Sequence, residues 1–185
     1  MKKYLWQIFG VALLITILAS CGDEKAQPYD PNYIAGNYEG TCNIEFGNKK
    51  QTDNSFSARF LMNSSNDAAL IGSLGDERTR DECGLGLIGN IQLTNIEKHG
   101  YATFRMSSIT VTYSNLIPDF VNKQTDSFTV KSAKLTLTCE KGGQFDSNKQ
   151  EISFVYKGKL EISGTQSAEK FSNSISYSFV LTKKR

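Results

Sequence analysis

From Tyr33 onward, apolar and polar residues alternate with a period of two, the pattern of β-strands with one buried face. Eight runs show this alternation, and their residues predicted to point inward are Tyr38, Cys42, Ile44 and Phe46; Phe56, Ala58, Phe60 and Met62; those of a weaker run over 68–74; Leu85, Leu87, Ile91 and Leu93; Ala102, Phe104 and Met106, continuing as Ile109, Val111 and Tyr113; Leu135, Leu137 and Cys139; Ile152, Phe154, Tyr156, Leu160 and Ile162; and Ile175, Tyr177, Phe179 and Leu181. The pattern therefore predicts an all-β domain.

The alternation changes parity inside two of the runs. In the run that begins at Ala102, the inward positions are even-numbered up to Met106 and odd-numbered from Ile109. One extra residue in a strand produces such a change, which predicts a β-bulge near Ser107 and Ser108. A similar change follows Val130.

The connections between the runs are short and rich in turn-forming residues, such as Gly47-Asn48 and Gly142-Gly143. Short connections predict that sequential strands pair as antiparallel neighbours. Eight such strands either close into an up-and-down barrel or fold into a β-sandwich. Closure removes the exposed edges of a lone sheet, so we expect a single barrel of about eight strands, with the sandwich as the alternative.

The N-terminus carries the features of an export signal. Lys2 and Lys3 precede an apolar run that covers 11–19. The sequence that ends this run, Leu18-Ala19-Ser20-Cys21, resembles the lipobox of bacterial lipoproteins. The resemblance implies that residues 1–20 are removed and that Cys21 receives acyl chains such as palmitate, which anchor the protein to a membrane. A retained transmembrane helix is the alternative.

An acidic pair, Asp23-Glu24, follows the lipobox cysteine closely. It resembles the surface-export signal of lipoproteins in some Gram-negative bacteria, which implies a protein lipid-anchored in the outer membrane, at the cell surface. A solvated spacer is the other interpretation. Residues 21–32 contain two prolines and no apolar run, which predicts a flexible tether, so the folded domain is expected over 33–185.

The first predicted strand opens with Tyr33-Ile-Ala-Gly36-Asn37-Tyr38-Glu-Gly40. This segment resembles the start of lipocalin-like (calycin) domains, in which Gly-x-Trp opens the first strand. Tyr38 stands in place of that tryptophan, and the one tryptophan of the chain lies within residues 1–20. The resemblance implies a barrel that holds a small ligand; a Gly-x-Tyr at the start of an ordinary strand is the alternative.

A meander places its connections alternately at two ends of the barrel. The longer connections, at 47–54, 75–84, 115–126 and 164–170, share one end, whereas 63–67, 96–100, 141–149 and the tether share the other. Binding residues concentrate on long loops, so ligand recognition is expected away from the membrane. The predicted binding residues there are Arg78, Arg80, Phe120 and Val121, and those inside the barrel are Tyr38, Phe60, Phe104, Phe154 and Tyr156. The 115–126 loop either covers the mouth as a lid or packs onto the core.

Composition and motifs exclude several function classes. Of the 21 Lys and Arg residues, Lys2 and Lys3 leave with the signal, so 19 basic residues face 19 acidic ones, a balance that argues against nucleic-acid binding. The one histidine, His99, lies in an apparent turn, and the chain has no Gly-x-Ser-x-Gly, Gly-x-Gly-x-x-Gly or phosphate-loop motif. The run 76–82 has four acids without the ligand spacing of calcium loops. We therefore expect no enzyme, no metal and no cofactor.

Three cysteines remain in the predicted domain: Cys42, Cys83 and Cys139. The cell envelope permits disulfides, but three thiols cannot all pair. On the predicted strands, Cys42 and Cys139 point inward near the tether, whereas Cys83 lies at the opposite end. A disulfide is therefore predicted between Cys42 and Cys139, with buried free thiols as the alternative.

Two functions follow from these expectations. The first is a binding module for a small apolar or saccharide ligand, held inside the barrel or at its mouth. The second is a structural or accessory subunit of an outer-membrane protein complex, with a solid barrel. Barrel capacity distinguishes them, because eight strands enclose either packed side chains or one small ligand.

Overall fold

A computed structural model of the chain describes residues 27–63, 70–86, 88–99 and 101–185. Its strands are β1 Gln27–Pro28, β2 Gly36–Phe46, β3 Lys49–Met62, β4 Leu70–Leu74, β5 Ile88–His99, β6 Tyr101–Met106, β7 Ile109–Tyr113, β8 Val130–Thr138, β9 Gly143–Asp146, β10 Glu151–Gly164 and β11 Lys170–Lys183. Its helices are α1 Glu77–Cys83, α2 Asp119–Asn122 and a 3-10 helix at Pro31–Tyr33. The predicted all-β class is confirmed.

Eight of the strands form a closed antiparallel ring. Their order round the ring is β2, β3, β4, β5, β6, β9, β10 and β11, and β11 pairs with β2 to close it. This confirms the expected barrel of about eight antiparallel strands. The ring is uneven, because β3, β10 and β11 have 14 residues each and β4 has 5. The same pairings are also compatible with the sandwich alternative.

One of the eight predicted strands is split into two. The run of β6 and β7 is interrupted at Ser107 and Ser108, where the parity change predicts a bulge. The next strand, β8, ends at Thr138 and β9 begins at Gly143, and both pair with β10. The sequence predicts a loop over 141–149, which is wrong for 143–146, because β9 occupies these residues. This strand was not predicted, because it has a single inward ring, Phe145, beside glycines and so shows no alternating pattern.

We call the end of the ring that carries α1 and α2 the helix end. The side chain of Asp76 caps α1 by accepting from the backbone N–H of Thr79 at 2.9 Å, and Gly84 ends the helix in the left-handed conformation with φ of 73°. Both helices lie inside connections that the sequence predicts as loops, 75–84 and 115–126. They stand over the strand ends, because α1 and the residues after it accept hydrogen bonds from inward tyrosines of β7 and β11.

The opposite end, where the chain enters the barrel, is here called the tether end. β1 pairs with the last residues of β5, and the backbone N–H of Tyr29 donates to the carbonyl of Ile96 at 3.3 Å. The 3-10 helix follows and is linked to β11 by the Lys183 Nζ, which donates to the carbonyl of Tyr33 at 3.0 Å. Residues 27–32, predicted as flexible tether, therefore lie against the barrel, with Ile34 fully buried just after them.

Several predicted features lie outside the described residues. These are the signal at 1–20, the lipidation site Cys21 and the acidic pair Asp23-Glu24. Among the residues that the structure describes, none belongs to a helix long and apolar enough to cross a membrane.

Candidate functional site

The interior of the barrel is the ligand site that the sequence predicts. Its five predicted residues, Tyr38, Phe60, Phe104, Phe154 and Tyr156, all point inward and are at most 3% exposed. The ring of Phe154 is central, since its centroid lies 4.6 Å from that of Phe179, 6.0 Å from that of Tyr156 and 6.5 Å from that of Phe60. The rings therefore pack against one another, as in a solid core.

The hydroxyls of four inward tyrosines are used by the fold itself. At the tether end, Tyr38 donates to the carbonyl of Ile34 at 2.5 Å. At the helix end, Tyr113 donates to the carbonyl of Gly84 and Tyr177 to that of Cys83, the latter at 2.9 Å; in the wall, Tyr156 donates to the carbonyl of Ser107 at 2.8 Å. Burial raises the pKa of each hydroxyl above its usual value, so each stays a neutral donor.

These hydrogen bonds connect the interior to the covers at both ends. They occupy the polar groups with which a lipocalin-like interior would orient a ligand. The predicted interior residues thus lie together, and they contact one another and the backbone of this chain.

The helix end is the predicted mouth, and α1 is fixed over it by Arg78. The Arg78 guanidinium donates to the Asp53 carboxylate on β3 at 3.1 Å, to the carbonyl of Ser55 at 3.0 Å, and to Glu82 one turn further along α1. The Asp53 side chain is 5% exposed and that of Arg78 is 39% exposed, so only the carboxylate of this ion pair is shielded from water. Arg78 therefore holds the helix to the wall.

The other predicted mouth residues do not converge with Arg78 on one site. Arg80 contacts the neighbouring Asp81 at 3.3 Å. On α2, Phe120 is 5% exposed and Val121 is fully buried, and the Phe120 ring lies 6.3 Å from that of Phe46 at the end of β2. Of the two conformations expected for the 115–126 loop, this is the one packed onto the core.

All three cysteines of the domain are buried free thiols in this structure. Cys42 lies in β2 and Cys83 at the end of α1, and burial together with the nearby Cys83 thiol raises the pKa of Cys42. Burial raises the pKa of Cys83 to about 12 and also raises that of Cys139. The predicted Cys42–Cys139 disulfide stays a prediction, and it is Cys83 that influences the Cys42 thiol here.

We expect these thiols to be inert in the folded protein, because the thiolate is the reactive form and both burial and the raised pKa values suppress it. In the chain lacking residues 1–21 at pH 8, an aromatic disulfide reagent should react at least about 100-fold more slowly before than after unfolding. Counting the thiols that react in denaturant without reductant checks the pairing. Three reactive thiols match this structure, whereas one matches a Cys42–Cys139 bridge.

A surface cavity of about 410 Å³ lies on the outer wall where β8 gives way to β9. Its floor is formed by outward residues of β10 and β11, among them Val155 and Val180, which are 38% and 42% exposed. Hydroxyl and amide groups surround the valines, including those of Gln144, Ser153 and Ser178. The sequence analysis missed this cavity. Its one signal is the Gly142-Gly143 pair, which marks the break in the strand.

Metal chemistry receives no support from the described part of the chain, where no group of three or more His, Cys, Asp or Glu side chains is placed to hold an ion. His99 is the last residue of β5, rather than part of a turn as the sequence suggests. The chain was also compared with known proteins, and no protein-family model, curated protein or solved structure matches it. The function is therefore inferred from the geometry of this chain.

Proposed function

We propose that the protein is a lipid-anchored lipoprotein of the outer membrane whose solid barrel acts as an accessory subunit of an envelope protein complex. One observation carries the choice between the two expected functions: rings predicted to line a ligand site contact one another, with Phe154 at their centre. A barrel filled by its own side chains leaves the outer surface for recognition.

The covers at both ends support the same choice. α1 and α2 stand over the helix end, and the 3-10 helix with β1 lies at the tether end. Tyrosine hydroxyls bind each cover from inside, so opening either end would break buried hydrogen bonds. The anchoring part of the proposal is supported by the lipobox resemblance of Leu18-Ala19-Ser20-Cys21.

The accessory function is tested in cells of the native host. A photo-reactive phenylalanine analogue is placed at outward wall positions, one per variant, and at the buried position Phe179 as the control. Irradiation should join the outward positions to the same envelope protein in every replicate. Absence of any discrete adduct from all wall positions would contradict the proposal.

Lipidation has a direct test. Cys21→Ser should abolish incorporation of radioactive palmitate and release the protein from the membrane fraction, because the serine hydroxyl cannot form the thioether. The wild-type chain is the positive control, and Cys83→Ser should be labelled normally because its sulfur is buried in the fold. Normal labelling of the Cys21→Ser variant would show that the lipobox interpretation is wrong.

The cavity on the outer wall favours a second candidate function, the binding of a small saccharide. Its size suits one or two sugar rings, and its lining combines two valines with hydroxyl and amide groups and with the charged residues Glu140, Lys141 and Lys157. Ser178→Trp would fill it without touching the interior, since Ser178 points outward between Tyr177 and Phe179. Calorimetric titration with oligosaccharides from the host envelope should show heat with the wild type and none with Ser178→Trp; no heat with either eliminates this candidate.

A further inference from the structure

The sheet has a gap beside β7, which lies outside the closed ring. This strand pairs with β8 on one edge and is the terminal strand in the order of the sheet. β5 pairs with β6 only from Leu93 onward, and the carbonyl of Gln92 accepts from the backbone N–H of Ser107 at 3.0 Å. Beyond that contact, no backbone hydrogen bond between described residues joins 88–91 to β7. The gap therefore opens toward the helix end.

The residues along the gap leave this edge unprotected. β7 reads Ile109-Thr-Val-Thr-Tyr113, five β-branched or aromatic residues with no charge and no proline. Native proteins normally protect an edge with lysine, proline, a bulge or a covering segment. Thr110 and Thr112 are exposed and Val111 is half-buried. Across the gap, Gly89 is exposed.

We propose that the free edge of β7 binds an extended segment of a partner protein, which joins the sheet as an added strand. Main-chain hydrogen bonds to β7 would supply affinity, and alternate side chains would supply specificity. On the inner side the segment would meet Ile88 and Val111, which are apolar and only half-buried, so apolar residues fit there. On the outer side it would lie beside Thr110 and Thr112, which fit uncharged polar residues. The inference rests on the proposed accessory function and names the kind of partner.

A second copy of the chain fits this edge less well, because of where the anchor lies. Two β7 strands paired antiparallel would hold two barrels upside down relative to each other. The chain enters at the tether end, and the five residues 22–26 between Cys21 and β1 span at most about 18 Å. The 14 residues of β11 span about 46 Å, so the inverted copy could not reach the same membrane with its acyl chains.

Hydrogen–deuterium exchange tests the added strand with the lipidated full-length protein in three settings: host membranes, purified in detergent, and reconstituted alone into phosphatidylethanolamine vesicles. In host membranes, amides of β7 should exchange at least about tenfold more slowly than in detergent, because the partner strand accepts from them. Amides of β11, paired on both edges, serve as the internal control and should not change.

Each outcome decides a different point. Equal exchange at β7 in all three settings overturns the strand addition. If exchange at β7 is equal but the outward wall positions still cross-link to a partner, the accessory function stands and the strand addition does not. Protection at β7 in vesicles holding this protein alone identifies a second copy as the occupant and overturns the partner proposed here.

A pair of double variants separates edge binding from a general effect of charge. Thr110→Lys/Thr112→Lys places two lysines on the free edge, and Thr52→Lys/Thr182→Lys places two on β3 and β11, which do not pair with β7. All four threonines are exposed, so both variants should fold. The first should lose protection at β7 in host membranes, and the second should keep it. Equal protection in both variants would contradict binding through the edge.

Discussion

Phe154→Ala should lower the free energy of unfolding by about 3–5 kcal/mol, the usual cost of removing a phenylalanine from a packed core. The ring of Phe154 is 3% exposed and contacts three other rings at the centre of the barrel. Its removal leaves a cavity that the surrounding strands cannot close, because they are held in a hydrogen-bonded ring. Urea unfolding, followed by circular dichroism on the chain lacking residues 1–21, measures the change.

The matched control for this prediction is the next residue. Val155 belongs to the same strand but points outward and is 38% exposed, so Val155→Ala should cost under about 1 kcal/mol. If Phe154→Ala costs as little as Val155→Ala, the barrel has a spacious interior. The ligand-binding function would then be favoured over the accessory one.

Phe120→Ala should also be strongly destabilising, by about 3 kcal/mol, although it lies in a connection between strands. Its ring is 5% exposed and packs against Phe46, and the same helix buries Val121 completely. Leu116→Ala is the control, because Leu116 lies in the same connection and is 60% exposed, so under about 0.5 kcal/mol is expected. Thermal unfolding of both variants measures the loss of stability. If Phe120→Ala is as stable as the wild type, the 115–126 connection is a movable lid.

The long strands were predictable because their residues alternate between apolar and polar by a simple rule. Inward residues such as Phe154 and Tyr177 recur every second position, and the parity change at Ser107 and Ser108 marks the break between β6 and β7. Such signals are local, and they need no knowledge of the distant parts of the chain. The closing pair of β2 and β11 then follows from the strand count and the avoidance of edges.

The helices were not predicted, because α1 is short and mostly charged. Only Thr79 and Cys83 are buried along it, one turn apart, which is too little for a periodic apolar face. Its boundaries did carry a signal, since Asp76 and Thr79 form a capping box and Gly84 ends the helix.

Whether the barrel is solid or hollow could not be predicted from the pattern of residues. The same inward rings either line a pocket or fill it, and the outcome depends on how the strands tilt and how the ends are covered. Phe60 and Phe154 are distant in sequence, and only the ring closure brings their centroids to 6.5 Å. The gap beside β7 could not be predicted from the pattern of residues either, because it arises where the paths of two strands diverge.

The pairing of β2 with β11 also sets the order of events during synthesis. Lys183 pairs with Tyr38 across about 145 positions, so the first long strand lacks one of its neighbours until the last has been made. The local hairpins among β2 to β6 can form early, whereas the ring closes only after a large loss of chain entropy. A nascent chain that stops short of β11 is thus left as an open sheet, and its two unpaired borders make it a substrate for aggregation or for the quality-control proteases of the cell.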